Sequence, residues 1–286
     1  MHSDNALRGI TWVIVSTIFF ALQDAFTKQL SVSLPAWQIV SIRFFFFAVF
    51  ALIYAWRSIG IRAAFNSTKQ ILQNILGIII VSEIALFSFT IGYLGLAEMH
   101  AIFACFPLII TALSVPFLGE NVGWRRWLAV AAGFIGTVII LKPGTGVLDP
   151  YSLLALVCAF GLAIYSILTR KVSRTDSFET SLLYFGVVSF VFSLLFTPFV
   201  WQTPTHEQWK ILIILSFCGL VGHFALIKAL QLAPAVILQP FNYFVLVWAM
   251  ILGYWLFGEL LDAVNLVGIA IVVCSGVFIA RREYRL

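Results

Sequence analysis

The sequence predicts an all-α membrane protein: ten transmembrane helices arranged as two inverted-topology five-helix repeats, with both termini in the cytoplasm. Three observations carry this prediction. The 286 residues are 62% hydrophobic and only 10% charged, against roughly 45 to 50% and 25% in soluble domains, so one aqueous core could not hide the apolar excess. The chain also repeats itself. Leu94-Gly-Leu-Ala97 returns as Leu230-Gln-Leu-Ala233, an offset of 136, and Gly119-Glu120 returns as Gly258-Glu259, an offset of 139. Finally, the basic residues are distributed unevenly between alternate loops.

Apolar runs long enough to cross a hydrocarbon core of about 30 Å fall at about 9–28, 36–56, 71–92, 97–118, 124–141, 150–170, 178–200, 208–229, 234–257 and 262–280. The joining loops are short and leave no room for a soluble domain. Residues 1–145 are read as the first repeat and 146–286 as the second. Five spans per repeat is an odd number, so the second copy must enter the membrane from the opposite side, and the expected ligand site lies between the copies near the midplane.

With a cytoplasmic N-terminus, the inner segments collect Arg8, Arg57, Arg62, Lys69, Arg125, Arg126, Arg170, Lys171, Arg174, Lys228, Arg281, Arg282 and Arg285. The outer ends collect only Lys28, Lys142 and Lys210, with Arg43 inside a span. That asymmetry is the positive-inside pattern. It also accounts for the net charge of +5, which is read as topology and not as a nucleic-acid surface. The first span is not expected to be a cleaved leader, because its apolar stretch is long and Asp24 and Lys28 follow it. The cytoplasmic (inner) membrane is the expected location.

Most tryptophans fall near span ends, as membrane-interface belt residues do. Trp248 lies within the ninth span and is a candidate for a cavity wall. Ala129, Gly133, Gly136, Gly268 and Gly276 punctuate the fifth and tenth spans and predict close helix seams. Phe44-Phe45-Phe46-Phe47 covers a whole helical turn, so it is expected to face lipid or neighbouring helices. Cys105, Cys158, Cys218 and Cys274 are single small residues in apolar runs, with no metal-binding spacing.

An ionisable group deep in a bilayer is costly and needs a reason to be there. Counted at about 1.5 Å per residue, Glu83 lies roughly 12 Å from the outer surface, Arg43 about 10 Å and Asp24 about 8 Å. Two carboxylates and a guanidinium at one level suggest either a substrate-binding or coupling patch, or a structural Arg43 pair with Asp24 or Glu83. His223 lies in the repeat partner of the Glu83 span, roughly 9 Å from it in depth, so no direct pair is expected. A ligand role for His223 stands beside a buried imidazole bonded to a neighbouring helix. Pro107 and Pro240 are expected to break the fourth and ninth spans. Gln239, Asn242 and Tyr243 around Pro240 are candidate substrate contacts or interhelical bonds.

Enzyme signatures are missing. Lys142-Pro-Gly-Thr-Gly146 lacks the phosphate-loop pattern, and there is neither a His-Glu-x-x-His helix nor a Gly-x-Ser-x-Gly turn. No catalytic residue, metal or cofactor is expected.

The paired Gly-Glu closures, each after an apolar span and before a glycine-punctuated one, resemble the EamA-type repeat of the drug/metabolite transporter superfamily. Within it the overall pattern is most similar to the YddG-type amino acid exporters. The resemblance implies alternating access, a cavity lined by the third, fourth, eighth and ninth spans, and export of amino acids, aromatic and other apolar ones favoured. It implies a small-molecule amino acid substrate and membrane lipid as partners; the charge pattern and the missing phosphate loop predict no nucleic acid and no ATPase subunit, and the oligomeric state, for which a monomer is one option, does not follow from the sequence. Small multidrug members of the superfamily rely on a first-span glutamate, where this chain has Asp24 near the outer end. Glu120 and Glu259 are expected to cap or anchor helices. A multidrug or nucleotide-sugar carrier of the same fold is the alternative within the class; a channel or an intramembrane enzyme is the alternative outside it.

Overall fold

The computed structural model describes residues 3–119, 123–141, 149–172, 175–232, 238 and 241–284. These form α1 (Ser3–Ser31), α2 (Ala36–Ser58), α3 (Ile61–Phe65), α4 (Gln70–Thr90), α5 (Leu96–Phe103), α6 (Phe106–Leu118) and α7 (Trp124–Leu141). They continue with α8 (Pro150–Val172), α9 (Phe178–Leu194), α10 (Thr197–Val200), α11 (His206–Leu232), α12 (Phe244–Phe257) and α13 (Ala263–Tyr284). Six helical segments among the described residues are long and apolar enough to cross a membrane: Leu7–Ser31, Ala36–Ser58, Gln70–Thr90, Leu96–Phe117, Pro150–Val172 and His206–Leu226. Four shorter apolar helices, Trp127–Leu141, Phe178–Leu194, Phe244–Phe257 and Ala263–Ile279, complete the bundle.

Local chemistry sets the helix ends. Pro35 precedes α2 in an extended conformation, as a residue that cannot donate its nitrogen should. Asp149 accepts from Ser152 N at 3.0 Å to start α8, and Ser177 accepts from Thr180 N at 3.2 Å to start α9. Thr205 and Gln208 bond each other's backbone nitrogens at 3.3 and 2.8 Å ahead of α11, a reciprocal cap that fills two otherwise orphaned donors. Gly119 and Gly258 end α6 and α12 with φ of +68° each. A residue with a Cβ is strained in that left-handed region, which gives the repeated Gly-Glu pair its glycine.

Two expected spans are broken. The fourth divides into α5 and α6 at Ala104 and Cys105, and Pro107 is the second residue of α6, where its missing N–H costs nothing. The proline inside α6 is Pro116. The seventh span divides at Leu195 and Phe196, ahead of Pro198 at the start of α10. The short α3 was not expected; Tyr184 Oη of α9 fixes it by donating to Phe65 O at 3.0 Å. Pro240 lies outside the described residues.

The strongest helix contacts are α1 with α11, α7 with α13, α2 with α9 and α4 with α8. Counted by order within each set of five apolar segments, the first-with-eighth contact of α1 and α11 is mirrored by the third-with-sixth contact of α4 and α8. The second-with-seventh and fifth-with-tenth contacts are their own mirror images. The seam between α7 and α13 is close because an added Cβ at Gly136 would fall 2.8 Å from Gly268 O, and one at Gly268 the same distance from Gly136 O. Small residues permit such an approach where no hydrophobic effect drives helices together.

The phenylalanine run divides by face. Phe44 and Phe47 are buried and pack on Phe185 of α9 at ring separations of 5.4 and 4.9 Å, whereas Phe45 is 47% exposed. Phe199, Trp255 and Leu260 are each more than three-quarters exposed, which in this composition is a lipid-facing surface.

Candidate functional site

A cavity of about 690 Å³ runs from the middle of the bundle to the loop between α8 and α9, where Asp176, Ser177 and Phe178 form its rim. Its wall is mostly apolar and rich in aromatic rings, with Phe20, Phe47, Phe87, Phe103, Phe106, Tyr165 and Phe185 among the residues that line it. The polar groups are few, and Gln23, Asp24, Arg43, Glu83 and His100 are prominent among them. An apolar enclosure with a small number of placed polar groups is the usual form of a small-molecule site.

Each charged group arrives from a different helix, and glycines make the room. Asp24 comes from α1, Arg43 from α2 and Glu83 from α4. Glu83 is 7% exposed and lies over Gly161 of α8, where an added Cβ would be 3.1 Å from Glu83 Cγ. Gln23 lies over Gly219 of α11, where a Cβ would meet Gln23 Oε1 at 2.4 Å and Arg43 Nε at 3.7 Å. Gln23 Nε2 donates to Asp24 Oδ1 at 3.1 Å. A carboxylate only accepts, so the amide nitrogen must face Asp24, and Gln23 Oε1 is left buried without a partner among the described residues. Asp24 Oδ2 also lies 3.3 Å from His100 Nε2 of α5.

Of the groups expected to form a site, the structure brings together Asp24, Arg43, Glu83, His223, Asn242, Tyr243 and Pro107. Of the two alternatives for these charges, the structural pair is not seen: among the described residues Arg43 forms no contact-range ion pair with Asp24 or Glu83, and interacts with both at longer range. His223 bonds within its own helix, Nδ1 to Gly219 O at 2.8 Å, and not to a neighbouring one. Phe20, Phe47 and Phe185 surround its ring at 4.9 to 5.9 Å. Trp248 is not on the cavity wall; its Nε1 donates to Thr17 Oγ1 at 3.2 Å and ties α12 to α1. Tyr243 Oη is buried without a partner among the described residues and fills the space that a Gly276 side chain would take, 1.7 Å from an ideal Cβ. Gln239 lies outside the described residues.

Two residues of the site, His100 and Gln23, were not among the candidates read from the sequence. The signal for Gln23 was weak, a polar neighbour of Asp24. For His100 it was the break before Pro107, which turns α5 as a separate unit toward α1. No group of three or more His, Cys, Asp or Glu side chains gathers as a metal site among the described residues.

At the rim, burial works against ionisation of Asp176. Hydrogen bonds from Ser67 and Gln73, with two from Thr68, outweigh it and hold the carboxyl below the usual carboxylate range. At the opposite end of the bundle the packing is closed. Lys28 of α1 forms an ion pair with Glu259 and also donates to Leu94 O. The other Glu259 oxygen accepts from Leu96 N at 2.6 Å, so Glu259 anchors the start of α5; Glu120 lies outside the described residues. Gln38, fully buried, donates to Gln202 O at 2.7 Å and accepts from Gln202 N at 2.8 Å, docking α2 on the segment before α11.

A helical membrane bundle around a closed-ended, aromatic cavity with a few charged anchors defines a small-molecule carrier. The particular family follows from comparison: the chain belongs to the EamA-like transporter family, whose model matches residues 7–142 and again 150–281. It is thus a multi-pass membrane protein and a small-molecule secondary transporter of the drug/metabolite superfamily, not an enzyme. It is similar to an S-adenosylmethionine uptake transporter of Rickettsia felis, 27% identical over 277 residues covering 97% of this chain and 94% of the relative. It is 30% identical to a riboflavin transporter of Vibrio cholerae, with the same coverage of 97% and 94%. A pseudopaline exporter of Pseudomonas aeruginosa is 23% identical across 99% of both chains. A crystal structure with 17% identity shares the fold over 99% of both chains, with a TM-score of 0.66.

Proposed function

We propose that the chain carries amino acids bearing an aromatic or other apolar group, and exports them across the inner membrane by alternating access. One observation carries the reading: a guanidinium and two carboxylates converge from α1, α2 and α4 on an aromatic-walled cavity. Arg43 suits a substrate carboxylate, Asp24 and Glu83 suit its ammonium, and the rings suit its side chain. Asn242 and Tyr243 border the same space. The mirrored helix contacts and the two matched segments support two inverted repeats of five spans each, divided at 145 and 146. Arg170 and Lys171 close α8 beside the cavity rim, and the positive-inside rule assigns that end to the cytoplasm. The described conformation is then inward-facing and loads from inside.

A second reading is favoured by the excess of carboxylates over guanidinium. Such a wall suits an amino acid with an additional positive charge and a ring, which is the chemistry of S-adenosylmethionine, the compound named for several relatives at 26 to 27% identity.

Counterflow in liposomes holding the purified protein tests both readings. Phenylalanine, tryptophan and S-adenosylmethionine are offered against labelled counterparts, and saturable exchange is expected with one of these groups. Arg43→Leu should slow it about 100-fold, the loss expected for a charged contact of roughly 3 kcal/mol. Undiminished exchange in that variant would remove Arg43 from the site.

A further inference from the structure

Phe20, Gln23 and Asp24 fall at i, i+3 and i+4 of α1, on one helical face, and all three line the cavity. Gln23 is 3% exposed, and its carbonyl oxygen finds no donor among the described residues. Gln38, also fully buried, uses both ends of its amide on Gln202. A leucine at position 23 would pack in nearly the same volume and leave no acceptor unpaired where lipid supplies no donor. Packing alone therefore does not account for an amide there.

The two ends of the amide show what it does. Nε2 is held on Asp24 Oδ1 at 3.1 Å, while His100 Nε2 stands 3.3 Å from the other oxygen, Oδ2. Oε1 lies on the far side of the amide, against α11. The Cβ that Gly219 lacks would fall 2.4 Å from Oε1 and 3.7 Å from Arg43 Nε. The amide thus stands between the Asp24 carboxylate and the Arg43 guanidinium, and the glycine makes room for it. Arg43 and Asp24 attract each other from beyond contact range. Buried opposite charges left free to move would close into a pair.

We propose that Gln23 is a specificity-determining residue, a spacer that keeps Arg43 off Asp24 so that the carboxylate and ammonium of one substrate can each find an open partner. The inference rests on the amino acid reading given above. With Gln23 removed, Asp24 Oδ1 is vacated while His100 stays on Oδ2, and Arg43 takes the vacated oxygen. The collapsed pair stabilises the fold. It also uses up the anchor for a substrate carboxylate and leaves Glu83 open to an amine. Preference then moves from an amino acid toward the amine that remains when its carboxylate is taken away.

The test compares the parent with Gln23→Leu as purified protein in detergent, by equilibrium binding of two matched pairs. The pairs are phenylalanine with phenethylamine, and S-adenosylmethionine with its decarboxylated form. In the parent, the amino acid of at least one pair is expected to bind about tenfold or more tighter than its amine, the worth of one charged contact. In Gln23→Leu that ratio should vanish or invert. The variant should also melt about 3 °C higher, and Asp24→Asn should lower the melting temperature more in the variant than in the parent, because only there does it break an ion pair. A merely structural glutamine gives the opposite: a lower melting temperature and equal losses for both members of a pair. Equal losses of binding overturn the proposal, as does an Asp24→Asn effect that is the same in both backgrounds. If neither amino acid binds the parent, the amino acid reading fails, and the melting comparison still decides whether Gln23 keeps the two charges apart. If Gln23→Leu does not fold, Gly219→Ala takes its place, since its methyl displaces the Gln23 carbonyl. It should erase the same preference, and a preference left unchanged there overturns the proposal.

Discussion

The two ends of the bundle are held by different chemistry. At one end, a lysine, a glutamate and two backbone groups tie α1, α5 and the close of α12 together, and Gln38 docks α2 on residue 202. At the other end the polar contacts gather around Asp176 and join the start of α4 to the loop before α9, while the cavity passes beside them. Both ends join the two halves of the chain, but the closed end ties together α1, α5 and the close of α12, and α2 with the segment before α11. The contacts around Asp176 at the open end tie only the start of α4 to the loop before α9 and leave the cavity mouth beside them. A ligand can shift such a balance only by its differential affinity for the two arrangements, so the closed-end bonds set how much binding energy opening requires.

Breaking the closed end should have the largest effect. Lys28→Met leaves Glu259 without its cation and Leu94 O without a donor, and severing a largely buried pair costs about 3 to 5 kcal/mol. The population should shift toward opening at that end. In a background with the four native cysteines replaced, Leu94→Cys should react with a membrane-impermeant thiol reagent at least tenfold faster once Lys28→Met is added. An unchanged labelling rate would mean that the ion pair does not hold that end shut.

Gln38→Leu strikes the same end more mildly. It leaves Gln202 N and O unpaired, a loss of about 2 kcal/mol for two neutral bonds. Counterflow should persist, with a lowered melting temperature and a labelling increase smaller than that of Lys28→Met. An equal or larger increase would move the main lock from Lys28 to Gln38.

The smallest effect belongs to the open end. Asp176→Ala should lower stability by about 1 kcal/mol through its lost hydrogen bonds without faster labelling of Leu94→Cys. Because the folded-state carboxyl lies below its ordinary range, its contribution is fully present above the ordinary carboxylate pKa and is lost as pH falls through the depressed folded value. Thermal unfolding followed from neutral to acid pH should therefore show a loss of stability in the parent protein that the variant has already suffered. A variant with the same pH dependence as the parent would remove Asp176 from that transition.

Much of the architecture could be read from the chain. Apolar runs located the six described helical segments that are long and apolar enough to cross a membrane, and the returning Gly-Glu pair anticipated two helix ends whose glycines adopt the same left-handed conformation. The breaks were harder to read. A proline marks where a backbone donor is missing, but not whether the helix bends through it or restarts beside it; Pro107 begins a helix and Pro116 lies within one. The site was legible as a depth and not as an arrangement. Counting residues put Asp24, Arg43 and Glu83 at one level, but could not tell contact from interaction at longer range.

The sequence by itself determined that this protein lives in a membrane, where its long apolar helices run, and that Asp24, Arg43 and Glu83 lie at one depth within it. Those follow from composition, from helical rise and from the cost of unpaired backbone groups, all of them local quantities. Only the tertiary structure decided that His100 meets Asp24, that Glu83 lies over Gly161, that Trp248 bonds α1 instead of lining the passage, and that Lys28 finds Glu259. Those facts depend on the rotation of each helix about its axis and on how closely glycines let neighbours approach, and helix packing sets both across long stretches of chain.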